Sequence, residues 1–221
     1  MLPDLIIFDC DGVLIDSEGI ASELIAVNLS GLGWPMDAAE SQRIFIGMSI
    51  HDMEPIIEAR LHRPVPAGWR QSIADELVVA LGTQARLIPG ARAMLVRVNA
   101  LGIPWRIASN SSDAEMAVKF ARTGIDDLTC GLSHAAASVI ALGGKPKPAP
   151  DVFLAAAASA HTRPERCLVV EDSALGVTAA VAAKMTCYGF DPHGDGAHLL
   201  AVGAKGILHD LSDLFDVLGT K

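Results

Sequence analysis

Asp9 and Asp11 stand one residue apart, are followed by Gly12, and close a short apolar run, Leu5-Ile6-Ile7-Phe8. Two carboxylates delivered into one tight turn repel each other when both are buried and ionised, so a fold that places them there supplies a cation or a shared proton. Mg²⁺ suits this setting, because it takes a few carboxylate oxygens and leaves positions for phosphate and water. Three more polar clusters follow or adjoin apolar runs: Ser109-Asn110-Ser111-Ser112, then Lys145-Pro146-Lys147-Pro148-Ala149-Pro150-Asp151, then Glu171-Asp172. Together they offer a nucleophile or ligand, hydroxyl and amide donors, an ammonium and further acids. That set is what phosphoryl transfer through an aspartyl-phosphate requires.

The elements that must hold these groups alternate. Leu5 to Phe8, Trp105 to Ala108, Cys167 to Val170, Thr186 to Phe190 and Gly206 to Leu208 read as short buried strands. Ala91 to Ala100, Ala114 to Thr123, Val152 to Ala160 and Leu175 to Ala183 read as helices between them. Strand and helix in alternation make a parallel sheet covered on both faces, whose sites form at the carboxyl ends of the strands. From about Ser17 to Arg86 the pattern is helical throughout, with turns at Gly31 to Pro35, Gly47 and Pro64 to Gly68. This segment reads as an inserted helical cap, connected through Leu14 to Ser17 and Arg86 to Pro89.

Composition narrows the class. The 221 residues, 51% of them hydrophobic, are enough for a packed interior. Seventeen Lys and Arg against 26 Asp and Glu give a formal charge of −9, which argues against nucleic acid and a membrane surface as partners. Cys10, Cys130, Cys167 and Cys187 are dispersed without a CxxC pair and read as free thiols of a cytoplasmic protein. The N-terminal apolar run is too short for a secretory or membrane-spanning segment. The seven histidines have no paired zinc spacing, and Asp191-Pro192-His193 reads as a turn.

The four ordered clusters resemble the haloacid dehalogenase superfamily, in particular its phosphatase branch with a small helical cap. Asp9-Cys10-Asp11-Gly12-Val13-Leu14 matches the first motif, Asp-x-Asp-Gly-x-Leu; Ser109 matches the hydroxyl motif, Lys147 the lysine motif, and Glu171-Asp172 the closing acidic motif. The resemblance implies an α/β fold with a Rossmann-like parallel sheet core, here residues 1–16 and 87–221, and a helical cap, residues 17–86. It implies Asp9 as nucleophile and Asp11 as the acid and base that protonates the leaving group and then activates water. That second role predicts surroundings that raise the pKa of Asp11. Ser109 and the amides of Asn110 and Ser111 would hold the phosphoryl oxygens. Lys147 is favoured over Lys145 as the neutralising cation, and Ser111 and Ser112 are expected mainly as helix caps. Mg²⁺ would be held by Asp9, the main-chain carbonyl of Asp11, Asp172, and Glu171 either directly or through water.

The presence of Asp11 argues against dehalogenation within this superfamily. A mutase of the β-phosphoglucomutase kind is weakened by Ala21, Ile46 and Ile50, which stand where that branch carries a histidine and basic residues. A noncatalytic phospho-acceptor module is the remaining alternative. The expected activity is hydrolysis of a small phosphorylated metabolite, a sugar or sugar-acid phosphate, by a protein favoured as a monomer. Glu18, Gly47 and Ser49 are candidates to face the leaving group.

Overall fold

The computed structural model describes residues 2–220; Met1 and Lys221, the outermost residues of the expected core ranges, lie outside them. Six parallel strands form one sheet in the order β5-β4-β1-β6-β7-β8: β1 (Leu5–Phe8), β4 (Trp105–Ser109), β5 (Ser133–Ala135), β6 (Cys167–Glu171), β7 (Thr186–Phe190) and β8 (Ile207–Leu208). The central strand β1 pairs with β4 on one side and β6 on the other, with Phe8 beside Ile107 and Val170. All four β1 residues are buried, because a strand covered on both faces has no solvent side. Leu5 and Ile7 enter one apolar cluster with Val152, Phe153 and Val177, while Ile6 and Phe8 enter the other with Leu95, Phe120 and Phe215. This two-residue alternation divides the core into two layers. Each fully buried side chain of this size contributes about 1.5–3 kcal/mol relative to exposure.

The helices over these layers are α5 (Ala91–Ala100), α6 (Asp113–Thr123), α7 (Asp126–Thr129), α8 (Ala136–Ala141), α9 (Asp151–Ser159), α10 (Ala174–Ala182), α11 (Ala197–Leu200) and α12 (Asp213–Leu218). Between β1 and β4 the chain makes α1 (Glu18–Gly31), α2 (Ala38–Phe45), α3 (Ile50–Leu61) and α4 (Trp69–Gln84). These four share an apolar interior of their own, which includes Leu29, Trp34, Phe45, Ile57, Ile73 and Leu77. Asp37 and Ser49 cap α2 and α3 by accepting from the amides of Glu40 and Asp52. At Gly82 of α4 an added Cβ would lie 3.5 Å from Val118 Cβ on α6, so the four-helix group is seated closely on a core helix.

Two features differ from the sequence-based expectation. The connections into and out of the helical group carry strands that the sequence reading does not name: β2 (Ile15–Asp16) and β3 (Arg86–Leu87) pair antiparallel, joining the two passages as one ribbon. The edge strand β5 was not anticipated either, because Ser133-His134-Ala135 has no apolar run to announce it; its pairing with β4 makes it a strand. Cys10, Cys167 and Cys187 are buried free thiols, and Cys130 is exposed.

Candidate active site

The four polar clusters converge at the carboxyl edge of the sheet, because β1, β4 and β6 are adjacent and parallel. Asp9 follows β1 directly and its amide donates to Val170 O at 2.9 Å, tying it to β6. The chain then turns sharply: the Gly12 amide donates to Ile15 O at 2.8 Å and Gly12 has φ +77°. A Cβ there would overlap the Asp172 carboxylate, so glycine serves both the backbone conformation and the approach of β1 to β6.

Lys147 Nζ donates to Asp9 Oδ1 and, at 2.7 Å, to Glu171 Oε1. Lys147 is buried and lies over the Phe153 ring, whereas Lys145 is exposed. Glu171 Oε2 accepts from the Ser173 amide at 2.7 Å and from Ser173 Oγ at 3.0 Å, and Ser173 Oγ accepts from the Gly176 amide to cap α10. One oxygen of each of Asp9, Glu171 and Asp172 lies within 4.8 Å of the others.

Asp11 has a different environment from the one its sequence suggests. Lys119 Nζ, fully buried on α6, donates to Asp11 Oδ1 at 2.6 Å, to Oδ2 at 2.9 Å and to Ser111 Oγ at 2.8 Å. Ser17, Ser109 (3.2 Å) and Ser111 (2.8 Å) also donate to this carboxylate through their hydroxyls. Burial pushes the Asp11 carboxyl up, but Lys119 and the hydroxyls outweigh it and hold the group down at about 2. The expectation of a raised pKa at Asp11 is therefore corrected, and the physical reason is the buried ammonium beside it. The raised acids are its neighbours. Burial pushes Asp9 up to about 7 against the pull of Lys147, with Glu171 and Asp11 adding to the rise. Burial, together with Glu171 and Glu18, pushes Asp172 well up.

Ser112 caps α6 in a capping box with Glu115, as its position suggests. Ser111, expected as a cap, is instead a ligand of Asp11. Asn110 also has a role that its motif does not announce: its Oδ1 accepts from the Lys147 amide at 2.9 Å, and its Nδ2 donates to Gly47 O at 2.9 Å and Lys147 O at 3.3 Å. The side chain joins the lysine loop to the turn between α2 and α3. Asp191 accepts from the amides of His193, Gly194 and Gly196, which confirms the turn there.

A cavity of about 290 Å³ opens over the acids, lined from the sheet side by Asp9, Asp11, Ser109, Lys147 and Asp172 and from the helical group by Glu18, Gly47 and Ser49 among others. Four carboxylates at its floor, Asp9, Asp11, Glu171 and Asp172, face two ammoniums, Lys119 and Lys147. The balance leaves two negative charges when all are ionised. Hard oxygen donors with that excess fit a divalent ion such as Mg²⁺. The Asp11 side chain stands outside the metal-competent cluster, which leaves its main-chain carbonyl as the contribution that the resemblance assigns to it.

The model of the haloacid dehalogenase-like hydrolases matches residues 3–184. The chain belongs to this family. Among curated relatives of this haloacid dehalogenase-like hydrolase, hexitol phosphatase A of Escherichia coli (strain K12) is 30% identical over 96% of the chain and 88% of its own length. The bifunctional riboflavin kinase/FMN phosphatase of Arabidopsis thaliana is 30% identical over 82% of the chain, which spans only 47% of that longer protein. A solved haloacid dehalogenase-like protein from Agrobacterium tumefaciens str. C58 superposes with a TM-score of 0.80 at 32% identity, covering 98% of this chain and 97% of its own. The α/β fold with its parallel sheet is thus the family's. Among the described residues no helix is long and apolar enough to cross a membrane.

Proposed function

We propose that this chain is a Mg²⁺-dependent phosphomonoester hydrolase of a small sugar-type phosphate, working through an aspartyl-phosphate on Asp9. The observation that carries the reading is the meeting of Asp9, Lys147, Glu171 and Asp172 in one buried cluster beneath a cavity. Asp9 attacks phosphorus, and the bond to the leaving oxygen breaks as the new one forms. Lys147 steadies the nucleophile and offsets charge on the phosphoryl group. Ser109 and the amides of Asn110 and Ser111 hold its oxygens at the start of α6. Asp11, aimed by Lys119 and three serines and ionised before substrate binds, takes up a proton as the charge of the bound phosphate raises its pKa, gives that proton to the leaving alkoxide, and takes one from the water that cleaves the intermediate. Asp9, Asp172, the Asp11 carbonyl and Glu171, directly or through water, would hold the metal, whose charge relieves the repulsion between carboxylate and phosphate.

In this reading residues 17–86 form the cap over a core of 1–16 and 87–221, and the cap excludes bulk water during attack. We take the protein to be cytoplasmic and monomeric, with a small phosphorylated metabolite as its partner. The reading of a hydrolase over a mutase is supported by Ala21, Ile46 and Ile50 lining the cavity, since a mutase must hold a second phosphate there.

The test is phosphate release from a panel of phosphate esters, with and without Mg²⁺. The expected result is metal-dependent turnover that Asp9→Asn abolishes. Turnover that persists in Asp9→Asn, or a long-lived phosphorylated protein without release, rejects the assignment.

A further inference from the structure

The part of the cavity wall supplied by α1 to α4 holds no lysine or arginine. Its basic group is His51, whose Nδ1 accepts from Arg70 Nη1 at 2.9 Å. Its acid is Glu18, whose carboxylate accepts from Gln42 Nε2 at 3.0 Å. An anionic leaving group placed here meets a carboxylate with no lysine or arginine to offset it.

Two further observations say what the wall does accept. Ile46 after α2 and Ile140 on α8 both line the cavity and are 40% and 39% exposed, so a ligand with an apolar edge would remove their surface from water. Ser41 on α2 lines the same cavity at 1% exposure, and its Oγ is the one buried side-chain oxygen or nitrogen without a hydrogen-bond partner among the described residues. Buried hydroxyls are otherwise paired, and an unpaired one is costly until a ligand satisfies it.

We infer that the subsite beside α2 takes an uncharged leaving group bearing hydroxyls and an apolar edge, with Ser41 Oγ paired to one of those hydroxyls. Leaving groups that carry a carboxylate or a second phosphate are rejected. The inference rests on the phosphomonoesterase reading and narrows its substrate from sugar or sugar-acid esters to the neutral ones.

The Mg²⁺-loaded protein is assayed with three esters: the phosphate of a neutral polyol, the phosphate of the corresponding sugar acid, and p-nitrophenyl phosphate. The neutral polyol ester is expected to exceed the acid ester in kcat/KM by at least about tenfold. Ser41→Ala is expected to lower the ratio of polyol ester to p-nitrophenyl phosphate by about tenfold. Ile46→Lys is expected to raise the acid ester relative to the neutral one. A wild-type preference for the acid ester, or an unchanged ratio in Ser41→Ala, overturns the inference while leaving the hydrolase in place. Absence of release from all three esters rejects the hydrolase itself. In that case the rise in Tm caused by each ester still ranks neutral against charged ligands, and a larger rise with the acid ester overturns the inference.

Discussion

Lys119 Nζ holds both carboxylate oxygens of Asp11, at 2.6 and 2.9 Å, from a position on α6 with no solvent exposure. The two residues are 108 positions apart, and the contact crosses from the helix after β4 to the turn after β1. A bidentate grip of this kind fixes the plane of the carboxylate as well as its place.

Lys119→Met is therefore expected to act mainly on Asp11, with a lesser effect on the phosphate site through its contact with Ser111 Oγ. We expect kcat for an alkyl phosphate to fall by roughly 10²-fold, the lower range for loss of a positioned acid and base, with KM little changed. Turnover of p-nitrophenyl phosphate, whose leaving group needs no proton, should fall much less. Lys119→Arg should recover part of the alkyl phosphate rate. Equal loss on both esters would mark Lys119 as structural only. Because Asp11 is 28% exposed and keeps its serine donors, the stability cost should be about 2 kcal/mol, below that of breaking a fully buried pair.

Lys147 is the opposite case. Its partners Asp9 and Glu171 are both buried, so Lys147→Met strands two acids out of water and should cost about 3–5 kcal/mol in urea unfolding. Activity should be lost as well, and an unchanged urea midpoint would contradict the arrangement.

Mg²⁺ should stabilise the wild-type fold, since an ion that binds only the native state adds about 2.7 kcal/mol at a hundredfold excess over Kd. Asp172→Asn should remove most of the Mg²⁺-dependent rise in Tm. Glu171→Gln should reduce it less, and should instead lower the metal-free Tm, because Glu171 also accepts from Lys147 and Ser173. Calorimetric scans with Mg²⁺ and with EDTA separate the two variants.

Gly12→Ala should impair both fold and metal binding. The positive φ costs an L-residue about 1–2 kcal/mol, and the new methyl group displaces the Asp172 carboxylate. A variant with wild-type Tm and a wild-type Mg²⁺ requirement would show that the turn at Gly12 does not constrain Asp172.

The strands that carry the acids were legible because each is an apolar run ending at its polar cluster, and β1 and β7 have the limits read from the sequence. Parallel pairing then brings distant strand ends together without further information. Lys119 was missed because it belongs to no strand-end motif. Its signal was a lysine on the buried stripe of an amphipathic helix, between Met116 and Phe120, where only a paired charge is tolerated. The pKa of Asp11 was misjudged for the same reason, since no local reading of Asp9-Cys10-Asp11 reveals a cation supplied from α6. Ser111 and Asn110 were named, but their partners were not, because helix capping and loop bridging use the same residue types.

Asn110 fastens two things with one amide: the turn at Gly47, which comes from the four-helix group, and the loop that presents Lys147. Any excursion of that turn away from the sheet gives up a bond from the very side chain that steadies the lysine loop. On the proposed reading of these helices as a cap and of Lys147 as the phosphate's cation, one residue thus latches both, so that admitting a ligand and readying the cation that receives it are mechanically linked.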